Sequence, residues 1–272
     1  MPLGHHLHII AGYKNERTFL NHCYYKQPFK LANITENKAV DLLRLMITSS
    51  SPGVLDNDNY SIKVEIESSA KVFLTTQGYQ RIFTMADKAS QCMNVEVKNN
   101  ASFCFLPHPN VPHESSNFSS KNNIYLSTHH HLLWSDIITC GRKLSGEAFK
   151  FSRYHNITNI YVDNKLVVKE NVLLEPLIRN VQSLGQLEGY THQSTLLFIN
   201  DRADMEKISA GCHEILSGIE EVTFGISMLP VNGLIIRILG YKGEQLFDVN
   251  NRIASVIGEI VSQVTIPSFS IL

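Results

Sequence analysis

Residues 60–106 read YSIKVEIESSAKVFLTTQGYQRIFTMADKASQCMNVEVKNNASFCFL. Residues 60–67 (YSIKVEIE) alternate apolar and polar without a break, the period of a strand with one buried face. Residues 71–76, 80–85, 92–97 and 102–106 follow as further short strand-like runs, and Asn99-Asn100-Ala101 reads as a turn between two of them. Strands about ten residues apart, with turn signals between them, mark an all-β sandwich, barrel or β-helical stack. No motif recurs at a fixed period, so a regular solenoid is not established by pattern alone.

The pattern extends in both directions. Residues 7–13 and 18–25 read as short strands, with His5, His6 and His8 at the first, where exposure is the default. Pro28-Phe29-Lys30-Leu31 interrupts them, and residues 41–48 (DLLRLMIT) give another strand that ends in the turn-rich Ser49-Ser50-Ser51-Pro52-Gly53. Residues 53–59 (GVLDNDN) are dense in Asp and Asn, whose side chains bond nearby backbone and favour tight turns. Asp56 and Asp58 alternate like the start of an EF-hand loop, but the later Gly and Glu are missing. Residues 106–113 (LPHPNVPH) carry three prolines and are expected to be an extended connector, not a ladder strand. Strands resume over 124–127, 132–140, 149–154, 157–162 and 165–170.

The last third changes character. Residues 194–200, 221–228 and 234–239 read as strands. Residues 203–217 place Met205, Ile208, Cys212 and Ile215 on one helical face and stop at Gly218. Gly243 opens a second helix striped by Leu246, Val249, Ile253, Val256, Ile260 and Val264, with Pro267 beyond it. Both stripes are most simply core against the sheet, with a partner-binding face on the last helix as the alternative.

The 272 residues hold 24 Lys+Arg and 25 Asp+Glu, a net charge of −1. That balance lacks the basic excess of a nucleic-acid binder. Five scattered cysteines with no CxxC argue for reduced thiols in a reducing compartment. No basic and apolar leader is visible at the start, and no apolar run reaches the roughly 18 residues of a membrane span. The expectation is a cytoplasmic protein with neither membrane nor nucleic acid as partner.

Residues 129–151 (HHHLLWSDIITCGRKLSGEAFKF) hold the chemistry. Residues 132–140 have no room for a helical polar face and read as a buried strand, with Leu132, Trp134, Asp136, Ile138 and Cys140 on one side. An unpaired ionised carboxylate in apolar surroundings costs several kcal/mol. Asp136 is therefore paired, protonated or beside an internal channel, unless that face is an edge turned to water. In a strand, His129 and His131 would face one way about 7 Å apart and could share a first-row metal, with solvated loop histidines as the alternative. Gly141-Arg142 and Gly146-Glu147 suggest a turn pinned by a forked Arg–carboxylate contact. No GxSxG, HExxH, phosphate loop or GxGxxG is present, so no catalytic residue is expected. Cys140 would be activated only if exposed to Arg142, and it reads as a buried strand residue. Asp58, Asp136 and Glu170 remain as scattered acids, suited to weak, hydrated oxygen-donor sites.

The ordered motifs resemble the urease accessory protein UreD (UreH) family. They are Pro28-Phe29-Lys30-Leu31; Ser51-Pro52-Gly53-Val54-Leu55 leading to Asp58; Leu74-Thr75-Thr76-Gln77 with Arg81-Ile82-Phe83; Leu106-Pro107-x-Pro109-x-Val111-Pro112 with Phe118; and Gly141-Arg142…Gly146-Glu147-x-Phe149-x-Phe151, the most specific of the set. The order and spacing hold over residues 28–176. The resemblance implies a mainly β, β-helix-like stack of short strands with two C-terminal α-helices. It implies one domain over 1–272, an all-β body at about 1–193 with an α/β part at about 194–272 packed on it. It implies no enzyme and no tightly bound cofactor, but a scaffold that binds UreF, recruits the GTPase UreG through it, docks on apo-urease and delivers transient nickel through an internal polar tunnel. Two copies within a larger complex are implied. By motif, the tunnel acids fall on Asp58, Asp136 and Glu170. Asn57 and His113 depart from the family pattern, which usually has Gly before Asp58 and an aromatic after the second proline. Two other readings stand beside this one. The first is a protein–protein scaffold with no metal path of its own. The second is a β-helical carbohydrate-acting enzyme using Asp136 and Glu147 as an acid pair about 5–9.5 Å apart.

Overall fold

The structure is a computed structural model that describes residues 6–37 and 40–261. The chain opens with β1 (Leu7–Lys14), β2 (Arg17–Tyr25) and β3 (Phe29–Asn33), then climbs in coils. The first coil is β4 (Leu43–Ser49) and β5 (Asn59–Ile66); the second is β6 (Lys71–Thr76), β7 (Gln80–Ile82) and β8 (Ala89–Val97). The third is β9 (Ser102–Leu106), β10 (Asn110–Pro112) and β11 (Asn117–Leu126); the fourth is β12 (His131–Thr139) and β13 (Arg153–Val162). β14 (Lys165–Leu174) turns back along β13. β15 (His192–Asn200), α1 (Met205–Ser217), β16 (Thr223–Met228), β17 (Gly233–Gly240) and α2 (Gly243–Val261) follow.

Strands β4, β6, β9 and β12 pair in parallel in one sheet, and β5, β8, β11 and β13 in another. β7 and β10 pair in parallel as a narrow third face, extended by a bridge from Val54 to Ile82. Leu43, Val72, Phe103 and Leu132 lie side by side on successive coils, an advance of about thirty residues per coil. The fold is thus a mainly β stack of coils resembling a β-solenoid with two C-terminal helices, as the resemblance implied. Antiparallel β2 and β14 flank the seven-stranded sheet, in the order β14-β13-β11-β8-β5-β1-β2. The other sheet runs β16-β17-β15-β12-β9-β6-β4-β3 and carries β10 and β7 off this path.

The space between the sheets is filled by Leu45, Val64, Leu74, Val95, Phe103, Ile124, Trp134 and Ile160. A second apolar layer lies on the outer face of the larger sheet, where Phe73, Leu133, Ile137, Phe198 and Ile236 meet Ile208, Cys212, Leu246 and Ile253 of the helices. β9, β12 and β15 are covered on both faces, which is why they read as near-continuous apolar runs. Asp204 caps α1 by accepting from Lys207 N. On the uncovered face of the smaller sheet Asn94, Asn123 and Asn159 stack as an amide ladder, with bonds of 2.9 and 3.0 Å.

Four expectations are corrected. Residues 110–112 do form a short strand despite their prolines, because Pro109 only has to accept from Gln80 N while His113 N donates to Ile82 O. Phe29–Asn33 is a strand paired with β4, not merely a break. Residues 149–152 are loop, with Phe149 at φ +56, and β13 begins at Arg153. β11 also starts at Asn117, seven residues before the expected 124. Val264, Pro267 and His5 lie outside the described residues.

Candidate functional site

Between the coils, beside the narrow third face, polar side chains enter the otherwise apolar interior. Inward positions of β8, β11 and β13 carry Gln91, Ser120, Asn122, Asn156 and Thr158, and β12 faces them with Asp136. A cavity of about 280 Å3 lies here, walled from the first coil (Gly53, Tyr60) to the fourth (Asp136, Tyr154, Asn156).

Asp136 Oδ1 accepts from Asn110 Nδ2 at 3.1 Å, and Oδ2 accepts from Tyr154 OH at 3.5 Å. Burial pushes its pKa up to about 6; hydrogen bonds from Asn156, Tyr154 and Asn110 oppose that rise, and the charge of Glu170 adds to it. Asp136 is deep in the fold yet not sealed by protein atoms, because its carboxylate borders the cavity. Burial beside Asp136 holds the Tyr154 hydroxyl protonated, its pKa well above the usual 10. Trp134 Nε1, also in the cavity wall, is buried without a hydrogen-bond partner.

From Asp136 the polar groups continue. Asn156 Oδ1 accepts from Ser120 Oγ at 2.7 Å and from Asn122 Nδ2 at 3.0 Å, and Asn122 also reaches Thr158 Oγ1 at 3.1 Å. Thr158 stands in register with Glu170 on β14, and Glu170 Oε2 accepts from Arg237 Nη2 at 2.6 Å. Asp136 and Glu170 are thus brought within electrostatic reach by two opposed sheets.

Asp58 is placed apart from them. It locks the turn before β5, accepting from Leu55 N at 2.7 Å and from the hydroxyl of Tyr60, whose ring lines the cavity. Asn57 beside it sits at φ +65, a left-handed conformation that Asn tolerates.

Gly141, Arg142, Gly146 and Glu147 build the loop joining β12 to β13. Arg142 Nε donates to Glu147 Oε2 at 2.8 Å and its Nη2 donates to Oε1. Gly141 has φ +107, and a Cβ there would lie 2.5 Å from Glu147 O. Gly146 closes a 3-10 turn at φ +77. Arg142 holds the Glu147 carboxyl below its usual range. Glu147 is engaged in this loop and Asp136 turns into the interior, so the structure does not gather them as an acid pair. Burial pushes the Cys140 thiol up, away from an activated nucleophile.

β12 begins only at His131, so the triple histidine does not share a strand. His129 sits in a turn at φ +57 and pairs with Asp201 at 3.0 Å. His131 is buried, accepts from Asn200 Nδ2 at 3.2 Å, and has its pKa pushed down to about 4 by burial. Among the described residues no three His, Cys, Asp or Glu side chains gather to hold a metal. His113 packs edge-on against Phe83 at 4.7 Å, and burial lowers its pKa.

Sequence reasoning missed Asn110, Asn122, Tyr154, Asn156, Thr158 and Arg237. The signal was there in alternate polar positions of residues 117–123 and 153–158, masked because a polar strand interior is indistinguishable from a loop by composition.

The family model described as UreD urease accessory protein matches residues 5–268. A Flavobacterium johnsoniae protein described as urease accessory protein UreD is 45% identical over 248 residues, covering 91% of this chain and 90% of that relative. Relatives with the same description from Acetivibrio thermocellus and Staphylococcus aureus are 32% identical over 252 residues and 28% over 257. They cover 92% and 93% of this chain, and 96% and 92% of their own lengths.

Proposed function

Because the chain belongs to the UreD urease accessory protein family, we propose that it serves urease maturation as a non-enzymatic scaffold whose interior conducts nickel. In this reading it binds UreF and, through UreF, UreG; it docks on apo-urease; and nickel is cargo, not a resident cofactor. The observation that carries the reading is the polar route from the cavity at Asp136, hydrogen-bonded through Asn156 and Asn122 to Thr158, with Glu170 in register beside Thr158. Carboxylate, amide and hydroxyl oxygens bind a hydrated divalent ion weakly compared with thiolate or clustered imidazole. Weak donors at successive depths favour release at each step, which a conductor needs and a store does not.

Glu170 and Asp136 are the acids of this route, and Asp58 acts at its first coil by fixing Tyr60. The test pairs Asp136→Asn with Glu170→Gln in cells that also supply urease, UreF and UreG. The expected result is recovery of the intact accessory complex together with a loss of nickel-dependent urease activity. Full activation by that double variant would leave a scaffold with no metal path of its own.

A further inference from the structure

Asp136, Thr195 and Arg237 stand in one register row across β12, β15 and β17. Asn122, Thr158 and Glu170 form the facing row across β11, β13 and β14. β14 is the last strand of its sheet, so the 2.6 Å bond from Arg237 Nη2 to Glu170 Oε2 ties the two sheets together at that end of the stack. The pair is lopsided: the Arg237 side chain is 54% exposed and that of Glu170 only 14%. The guanidinium therefore reaches in from solvent and covers a carboxylate that belongs to the interior.

We propose that Arg237 is the gate of the polar route, competing with a divalent cation for Glu170. This rests on the conducting role proposed above and adds to it a residue that regulates passage. A guanidinium stays charged at every physiological pH and binds a carboxylate in a fixed fork. While it holds Glu170 it occupies one of the oxygens a cation would use and sets a like charge in the cation's way. Because the Arg237 side chain is half in solvent, it can swing outward into water while an entering cation takes its place at the interior Glu170 carboxylate. Asp136, one row away, remains as the next carboxylate within.

The test is calorimetric titration of the purified full chain with nickel chloride. Arg237→Gln is expected to bind nickel about threefold more tightly than the parent, the range that loss of one partly exposed charge allows. Arg237→Lys keeps the charge and is expected to stay near the parent. Adding Glu170→Gln to Arg237→Gln is expected to abolish the gain. Unchanged affinity in Arg237→Gln, including a lowered Tm without tighter binding, would overturn the gate and leave Arg237 as a strut. A gain that survives Glu170→Gln would overturn it as well, and so would undetectable binding in both forms. The conducting role fails by a different result, urease activation that survives loss of both acids.

Discussion

Asp136 is ionised at neutral pH against a cost set by its surroundings. Burial raises its folded pKa from 3.8 to about 6, so the folded chain holds the proton more tightly than the unfolded chain does. The stability this group contributes is complete below about pH 4 and is lost as pH rises through about 6. Asp136→Asn removes that dependence. Denaturant unfolding from pH 4 to 8 should show a flatter profile for the variant, and greater stability than the parent at pH 7.5 by roughly 1–3 kcal/mol. An unchanged slope between pH 4 and 6 would contradict the burial argument. A residue under such a cost, kept beside a cavity, is a site candidate on physical grounds. Gly141 is fixed by its surroundings as well. Its φ of +107 and the closeness of Glu147 O and Pro112 O leave no space for a side chain. Gly141→Ala should destabilise by about 2–4 kcal/mol in urea unfolding, with the Arg142–Glu147 pair loosened.

At the scale of elements, legibility followed burial. Residues 60–67 were readable because β5 alternates between core and solvent, and residues 132–140 because β12 is buried on both faces. The two helices showed through their apolar stripes, which face the outer surface of the larger sheet. β11 was half invisible: Ser120 and Asn122 point inward, to the cavity and to their shared hydrogen-bond partner Asn156, so the apolar half of the alternation is missing where the candidate site lies. β10 was hidden by prolines whose carbonyls suffice for its short ladder. Asp136 was singled out because an acid within an apolar run is conspicuous. Its partners Asn110 and Asn156 come from distant strands that only the fold brings near. The helical layer is held by complete burial of residues such as Ile253. Ile253→Ala should cost about 2–5 kcal/mol, read as a lower urea midpoint. A cost below about 1 kcal/mol would mean that α2 contributes little to the packing of the sheet.

The whole molecule is a stack in which coils of about thirty residues share register but not residue types, so no repeat was visible in the chain. Stacking gives two opposed sheets and a third narrow face, and between them lies the cavity, walled by rings such as Phe105 and Trp134 and by amides and hydroxyls such as Asn122 and Ser120. A route of this kind is a property of the stack, since its donors come from β8, β10, β11, β12, β13 and β14. In the proposed role, nickel passes through this interior. The measurement that tests it most directly is nickel transfer to apo-urease, with all accessory partners present, by a chain whose cavity is plugged. Ser120→Phe sets a ring into the cavity of about 280 Å3 and leaves both acids in place in the sequence. Circular dichroism and co-purification confirm that the variant folds and assembles. Transfer is expected to fall to the level seen without this chain. Transfer at the parent rate by the folded, assembled variant would contradict it and place the metal's path elsewhere.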